Sequence, residues 1–501
     1  MRRWGIAAIV AVAALYAVLL VHAAGQMLLA LVLLVIASLA LWTYTSARTN
    51  ALRYLFPGVA AALLFVVFPM LYTVGIGFTN YSSQNLLDHD AARVYLLDEA
   101  TPVADSERAF TLHADGVGFR LRLQGTEGPA LVTPPVALGA SSFASPVPLQ
   151  AADGAALGAA LPLAQVVPQL PALRRLKLLA PGGATLTLVN LREFAERQPL
   201  YAAQPDGSLV ERGTKTVYRR DDTQGFYTAP DGATLTPGYR VGVGLRHYAT
   251  IFSEGRFREP FTGVFLWTVA FSALTVAGTA ALGLLLAALL NWEALPFKGA
   301  YRLVLFLPYA VPGFISILVF KGLFNQNLGE INFILNGLFG IKPAWFSDPT
   351  LARAMLLIVN VWLGFPYMMV ICSGLIKSIP ADLYEASAVA GAGPWVNFRT
   401  ITLPLILKPL TPLLISAFAF NFNNFVLVSL LTGGRPDRID TPLPAGSTDI
   451  LVSYTWRIAF QDSGQQFGLA AAISTVIFLI VAAVTLLQLR FTRIDGDEPK
   501  R

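Results

Sequence analysis

"GVFLWTVAFSALTVAGTAALGLLLAALLN" (Gly263–Asn291) contains no Asp, Glu, Lys or Arg. About 20 consecutive apolar residues carry an α-helix across the hydrocarbon of a bilayer, and this run exceeds that length. The same criterion along the chain gives eight apolar segments: 5–23, 26–45, 54–78, 263–291, 302–324, 352–376, 407–431 and 467–489. Composition agrees. The 501 residues are 55% hydrophobic and 13% charged, where soluble chains carry about a quarter charged residues. The mean hydropathy is +0.59. The expected class is an all-α polytopic membrane protein with eight transmembrane helices. The first segment follows two arginines, as in a signal peptide, but it is long and a second follows at once, so it reads as a retained anchor.

The residues between 78 and 263 differ in kind. They hold most of the acids, many Pro and Gly, and alternating runs such as "GFRLRLQ" (Gly118–Gln124) and "ATLTLVN" (Ala184–Asn190). Alternation with frequent turn residues predicts a β-rich domain between the third and fourth helices. The chain therefore divides into 1–79, 80–262 and 263–501. Lys and Arg in short loops mark the cytoplasmic side. Arg2, Arg3, Arg48, Arg53, Lys298, Arg302, Lys377, Arg399, Lys408, Arg490 and Arg493 all fall on one face. Both termini are then expected inside and the β-rich domain outside.

On the inner face lies 377–405, which includes "EASAVAGAGPWVNFRTITLP" (Glu385–Pro404). Ser378 and Pro380 suit a helix start, with Asp382 and Glu385 in the early turns where the helix dipole favours acids. Gly391 or Gly393 should end that helix, and Pro394 suits the start of another. The expectation is two short helices hinged at Gly391–Gly393. Small residues around Glu385 fit a helix that docks in another protein's groove. An amphipathic connector lying on the membrane surface fits equally well.

In the seventh segment, Asn421, Asn423 and Asn424 lie at midspan. Polar groups at that depth are costly and face a bundle interior or a wet cavity. Helical spacing would group Ala417, Phe420, Asn421 and Asn424. A ring with two amides suits a neutral sugar, whose hydroxyls need amide partners and whose C–H face stacks on an aromatic. Asparagines also bridge membrane helices without any ligand. In "VWLGFPYM" (Val361–Met368), Gly364 allows close approach to the backbone and Pro366 can free a carbonyl. In "LPYAVPGF" (Leu307–Phe314), Pro308 and Pro312 predict a break, either a moving element or a static kink. Ala273, Ala277 and Ala281 form a helix-packing stripe.

Other chemistries lack support. No G-x-x-x-x-G-K-[ST] phosphate loop is present, so ATP hydrolysis is not expected of this chain. No catalytic set is visible. Asp88, His89 and Asp90 read as a solvated loop start rather than metal ligands. The one cysteine, Cys372, cannot form an intrachain disulfide. Nothing suggests nucleic acid: the net charge is +6, with no basic run interleaved with aromatics.

Glu385, Ala386, Ser387, Gly391, Ile401, Leu403 and Pro404 keep the spacing of the EAA loop, and the chain resembles the membrane subunits of ABC importers there. "AFNFNNFVLVSLLTGGRPDR" (Ala419–Arg438), "PAGSTDILVSYTWRIAFQDSGQQFGLAAAIST" (Pro444–Thr475), "YTVGIGFTNYSS" (Tyr72–Ser83) and "PFTGVFLWTVAFS" (Pro260–Ser272) resemble the MalF-type family, the larger permease subunits of maltose/maltodextrin ABC importers. That resemblance implies a non-ATPase subunit in the bacterial inner membrane, with the β-rich domain periplasmic. It implies a sugar pocket of Phe420, Asn421, Asn424, Leu363, Gly364 and Tyr367. It makes Glu385, Ala386, Ser387 and Gly391 the coupling helix that docks on an ATPase. The implied partners are a second, smaller permease (MalG-like), a homodimeric ATPase (MalK-like) that holds ATP and Mg, a periplasmic maltose-binding protein, maltose or maltodextrin, and membrane lipid. No cofactor is expected on this chain. Ala417 stands where the family commonly presents Ser, which bears on ligand preference.

Overall fold

The computed structural model describes residues 2–116, 118–125, 129–138, 146–152, 157–292, 294–439, 441, 444–461 and 465–491. The chain forms two compact units. One comprises 1–83 and 242–501, and the other is Gln84–Val241.

The first unit is built of helices. Six among the described residues are long and apolar enough to cross a membrane: Met27–Thr45, Leu52–Ile76, Phe257–Asn291, Pro349–Lys377, Pro394–Phe422 and Phe467–Leu486. A bent pair, Lys298–Ala310 and Gly313–Leu323, raises the number to seven if it counts as one span. The expected number was eight. The first segment forms the helix Arg2–Ala23, of which Ala7–Ala23 is the apolar part among the described residues. The fifth turns through 91°. A residue before proline is driven out of the α region; Val311 is extended at φ −89°, ψ 132°, and Pro312 caps the helix that follows. Pro308 stays inside its helix.

The expected seventh span is also interrupted. Its helix ends at Phe422, and a separate helix, Phe425–Leu431, begins after Asn424. The Asn424 side chain accepts from Leu427 N, as a capping residue does, so a local amide replaces the continuing helix. The Gly255–Asn291 and Pro349–Lys377 helices pack along each other around Trp267, Phe271, Met355, Leu356 and Val359, joined by Leu427 and Leu431. Burial holds the His247 imidazole below its ordinary pKa; it donates to the Thr79 carbonyl at 2.9 Å.

In the second unit lie all the strands found among the described residues. A nine-stranded sheet is mostly antiparallel, centred on the hairpin Arg108–Asp115 and Gly118–Gly125 with Leu112 opposite Leu121. The alternation in "GFRLRLQ" sends Leu121 and Leu123 into the core and leaves Arg122 outside. A four-stranded meander, from Tyr201–Ala203 to Phe226–Thr228, packs its own core of Leu96, Leu209, Tyr227 and Tyr239. Asp88 caps the helix His89–Asp98, its carboxylate accepting from Ala91 N at 2.8 Å.

Candidate functional site

Three helices of the membrane unit meet at an amide cluster. Asn360, on the Pro349–Lys377 helix, donates from Nδ2 to Asn421 Oδ1 at 2.8 Å and to Thr275 Oγ1 at 3.2 Å. Asn424 donates from Nδ2 to Asn360 Oδ1 at 3.3 Å. Asn421 donates to the Ala417 carbonyl at 2.8 Å. Asn421 is 8% exposed and Asn360 is also buried. Each amide is bonded, so the cluster meets the rule that buried polar groups find partners. In this state the asparagines bridge helices, and a ligand hydroxyl would exchange for one of these bonds. All four side chains are neutral, which suits uncharged hydroxyls rather than an anion or cation.

The remaining expected pocket residues are placed differently. Phe420 is 70% exposed although its neighbour Asn421 is buried. The helix stops two residues after Phe420, so Ala417, Phe420, Asn421 and Asn424 do not form one continuous helical face. Tyr367 is 47% exposed. Leu363 packs against the buried apolar cluster of Phe271 and Val359. At Gly364 a Cβ would stand 2.7 Å from Thr279 Cγ2, so the glycine serves close contact with the Gly255–Asn291 helix. Pro366 is buried inside an unbroken helix.

Asn360 and Thr275 were not anticipated. Asn360 precedes Leu363, Gly364 and Tyr367 by three, four and seven residues, which places all four on one helical side. That spacing was available in the sequence.

The segment after the broken helix is fastened to the helix pair. Trp267 Nε1 donates to the Thr448 carbonyl at 3.4 Å, and Arg353 Nε donates to the Ser447 carbonyl at 2.8 Å. The Arg353 guanidinium lies 4.7 Å from the Trp267 ring centre. Arg457 pairs with buried Asp449 at 2.7 Å and also with Asp437. Ser453 donates to Asp449 at 2.8 Å.

The segment 377–405 contains two short helices, Ala381–Val389 and Pro394–Asn397. Between them Gly391 adopts φ +77°, a conformation that glycine takes without strain. Ser378 caps the preceding helix instead, donating to the Leu375 carbonyl at 2.7 Å. Glu385, Ala386 and Gly391 are exposed. Ser387 is half-buried and donates to Asn397 Oδ1 at 2.5 Å. Val389 is 92% exposed and Trp395 71% exposed. Apolar groups standing out beside an exposed acid, on a connector between helices, make a surface suited to a protein partner.

Three family models match the chain. "MalF, N-terminal region, transmembrane helices" matches residues 1–48. "Maltose transport system permease protein MalF P2 domain" matches 87–244. "Binding-protein-dependent transport system inner membrane component" matches 279–493. The maltose/maltodextrin transport system permease protein MalF of Vibrio parahaemolyticus is 47% identical, over 99% of this chain and 95% of that protein. The MalF of Klebsiella aerogenes is 46% identical, over 99% and 97%. A bacterial alginate ABC transporter crystallised with its pentasaccharide-bound periplasmic protein is 21% identical, with a TM-score of 0.43, over 50% of this chain and 83% of that one.

Proposed function

Since this chain belongs to the MalF family of binding-protein-dependent transport permeases, we propose that it moves maltose and maltodextrins across the bacterial inner membrane as a non-ATPase subunit of an ABC importer. One observation carries the mechanism. A single apolar helical stretch, Pro394–Phe422, begins in the coupling segment and ends at the buried amides. Whatever displaces its first turn acts on the helix that presents Asn421. Energy and substrate therefore meet on one element.

The short Lys- and Arg-rich loops face the cytoplasm, with both termini, and Gln84–Val241 faces the periplasm. There the inserted unit meets a soluble maltose-binding protein. A smaller MalG-like permease completes the membrane pore, and a MalK-like ATPase dimer binds ATP and Mg. Closure of that dimer moves the helix carrying Glu385, Ala386 and Ser387, with Gly391 as the joint. The spans then alternate between outward-open and inward-open states. The sugar sits among Asn360, Asn421, Asn424, Leu363, Gly364, Phe420 and Tyr367. Its hydroxyls take over the amide bonds, and the exposed Phe420 and Tyr367 rings supply stacking surfaces.

The test is ATP hydrolysis by the reconstituted complex, with the binding protein and a panel of sugars. Maltose and maltodextrins should stimulate it, and Glu385→Lys should lower both stimulation and transport. Stimulation by a non-glucoside alone would overturn the ligand. Normal coupling in Glu385→Lys would remove Glu385 from the docking role.

A further inference from the structure

We infer that Tyr384 and Thr402 are positioning residues of the transport cycle, and that their shared hydrogen bond passes displacement of the coupling helix to the helix carrying the substrate amides. This rests on the functional reading above and adds the atoms through which the motion travels.

In the Ala381–Val389 helix only Tyr384 and Ser387 are half-buried; its other residues are exposed. Spaced three apart, they share the face turned toward the protein. Both are bonded to the segment that follows. The Tyr384 and Thr402 hydroxyls lie 2.9 Å apart, and Ser387 reaches Asn397. The covalent route between the same helices is the turn at Ala390–Gly393, with Gly391 in the left-handed region. A turn of small residues bends more readily than a helix, so side-chain bonds must hold the two helices in register.

The two bonds differ in where they end. Ser387 holds the short helix Pro394–Asn397. Tyr384 reaches past it to Thr402, which is buried and closes the π-helical turn Phe398–Thr402. Such turns are frequent where a helix must adjust for function. The next residue, Leu403, starts the 20-residue helix that carries Asn421 in its last turn. Thr402 also bonds back to the Asn397 carbonyl at 3.4 Å. It is thus the point at which the coupling helix, the π-turn and the long helix are joined. Without the Tyr384 hydroxyl, motion of the coupling helix would be taken up in the π-turn rather than reaching the amides.

The experiment uses the whole complex in proteoliposomes with the binding protein and maltose, and reads maltose imported per ATP hydrolysed. Removing a single hydrogen bond of this kind changes an equilibrium by about fivefold. Tyr384→Phe and Thr402→Val should each lower the import ratio by about that factor. Thr402→Ser, which keeps the hydroxyl, should hold it near wild type. The double variant should fall no further than Thr402→Val alone, since that substitution already removes the shared bond. A wild-type ratio in Tyr384→Phe or Thr402→Val would overturn the inference. So would independent, multiplying losses in the double variant, or a Thr402→Ser as poor as Thr402→Val. Should Tyr384→Phe fail to assemble, the comparison of Thr402→Val with Thr402→Ser decides by the same criterion with Tyr384 intact. A wild-type complex without maltose-stimulated hydrolysis would overturn the functional reading itself.

Discussion

Asn360 holds the amide cluster with both ends of its side chain. Its Nδ2 serves Asn421 and Thr275, and its Oδ1 accepts from Asn424. Removing it leaves buried groups unsatisfied, at a cost of about 1–3 kcal/mol each. Asn360→Ala should therefore lower the melting temperature of the purified protein in detergent. Asn360→Leu, which keeps the branched shape but not the amide, should lower it comparably. If leucine restored wild-type stability, packing would explain the site and the hydrogen bonds would not. Asn421 and Asn424 could be found in the sequence because asparagines crowd together in "NFNN" (Asn421–Asn424). Asn360 stands alone in an apolar run, where a single amide gives no sign of its partner. Its partners lie 61, 64 and 85 residues away, and periodicity within one helix cannot encode a contact between two.

The helices show the same boundary between local and distant information. Pro312 breaks its span by a local steric rule, so the break could be read from "LPYAVPGF" even though its 91° angle could not. The stop at Asn423–Asn424 was hidden, because an asparagine can continue a helix or cap the next one, and packing chooses. Gly364 presents the converse case. Its lack of a side chain was legible, but what approaches it was not. In the structure Thr279 Cγ2 fills the space, with only 2.7 Å left for a Cβ. Gly364→Ala should push the Pro349–Lys377 helix away from Gly255–Asn291 and cost about 1–3 kcal/mol, the usual penalty for overpacking. Thr279→Ser removes the obstructing methyl, so Gly364→Ala with Thr279→Ser should regain most of the lost thermal stability. No recovery in the double variant would mean that the glycine is needed for something other than this helix contact.

Across the whole molecule, alternation and turn residues announced a β-rich insertion, whereas its closure depends on pairings between the two ends of that segment. Asn85 Nδ2 donates to the Tyr239 carbonyl at 3.1 Å and to the Gly225 carbonyl at 2.9 Å, and Leu87 bridges Tyr239. The unit Gln84–Val241 thus ties its own beginning to its own end. The membrane unit closes its gap in the same way: Thr79 bridges Gly242, and Val243 N donates to the Phe78 carbonyl at 2.8 Å. The inserted unit also has its own buried interior, with Leu112, Leu121, Leu123, Leu178 and Phe194 in one cluster, and Tyr227 and Tyr239 in a second. A segment with a core and paired ends meets the physical conditions for a domain. Expressed alone, residues 84–241 should be soluble and monomeric, and should unfold in one or two cooperative transitions followed by circular dichroism. Replacing the Asn85 amide, in Asn85→Ala, should lower the first of these, because that amide bonds two carbonyls and is buried. A broad, non-cooperative melt of the wild-type fragment would show that its core is completed by the rest of the chain. An unchanged melt in Asn85→Ala would show instead that the strands close the unit without this amide.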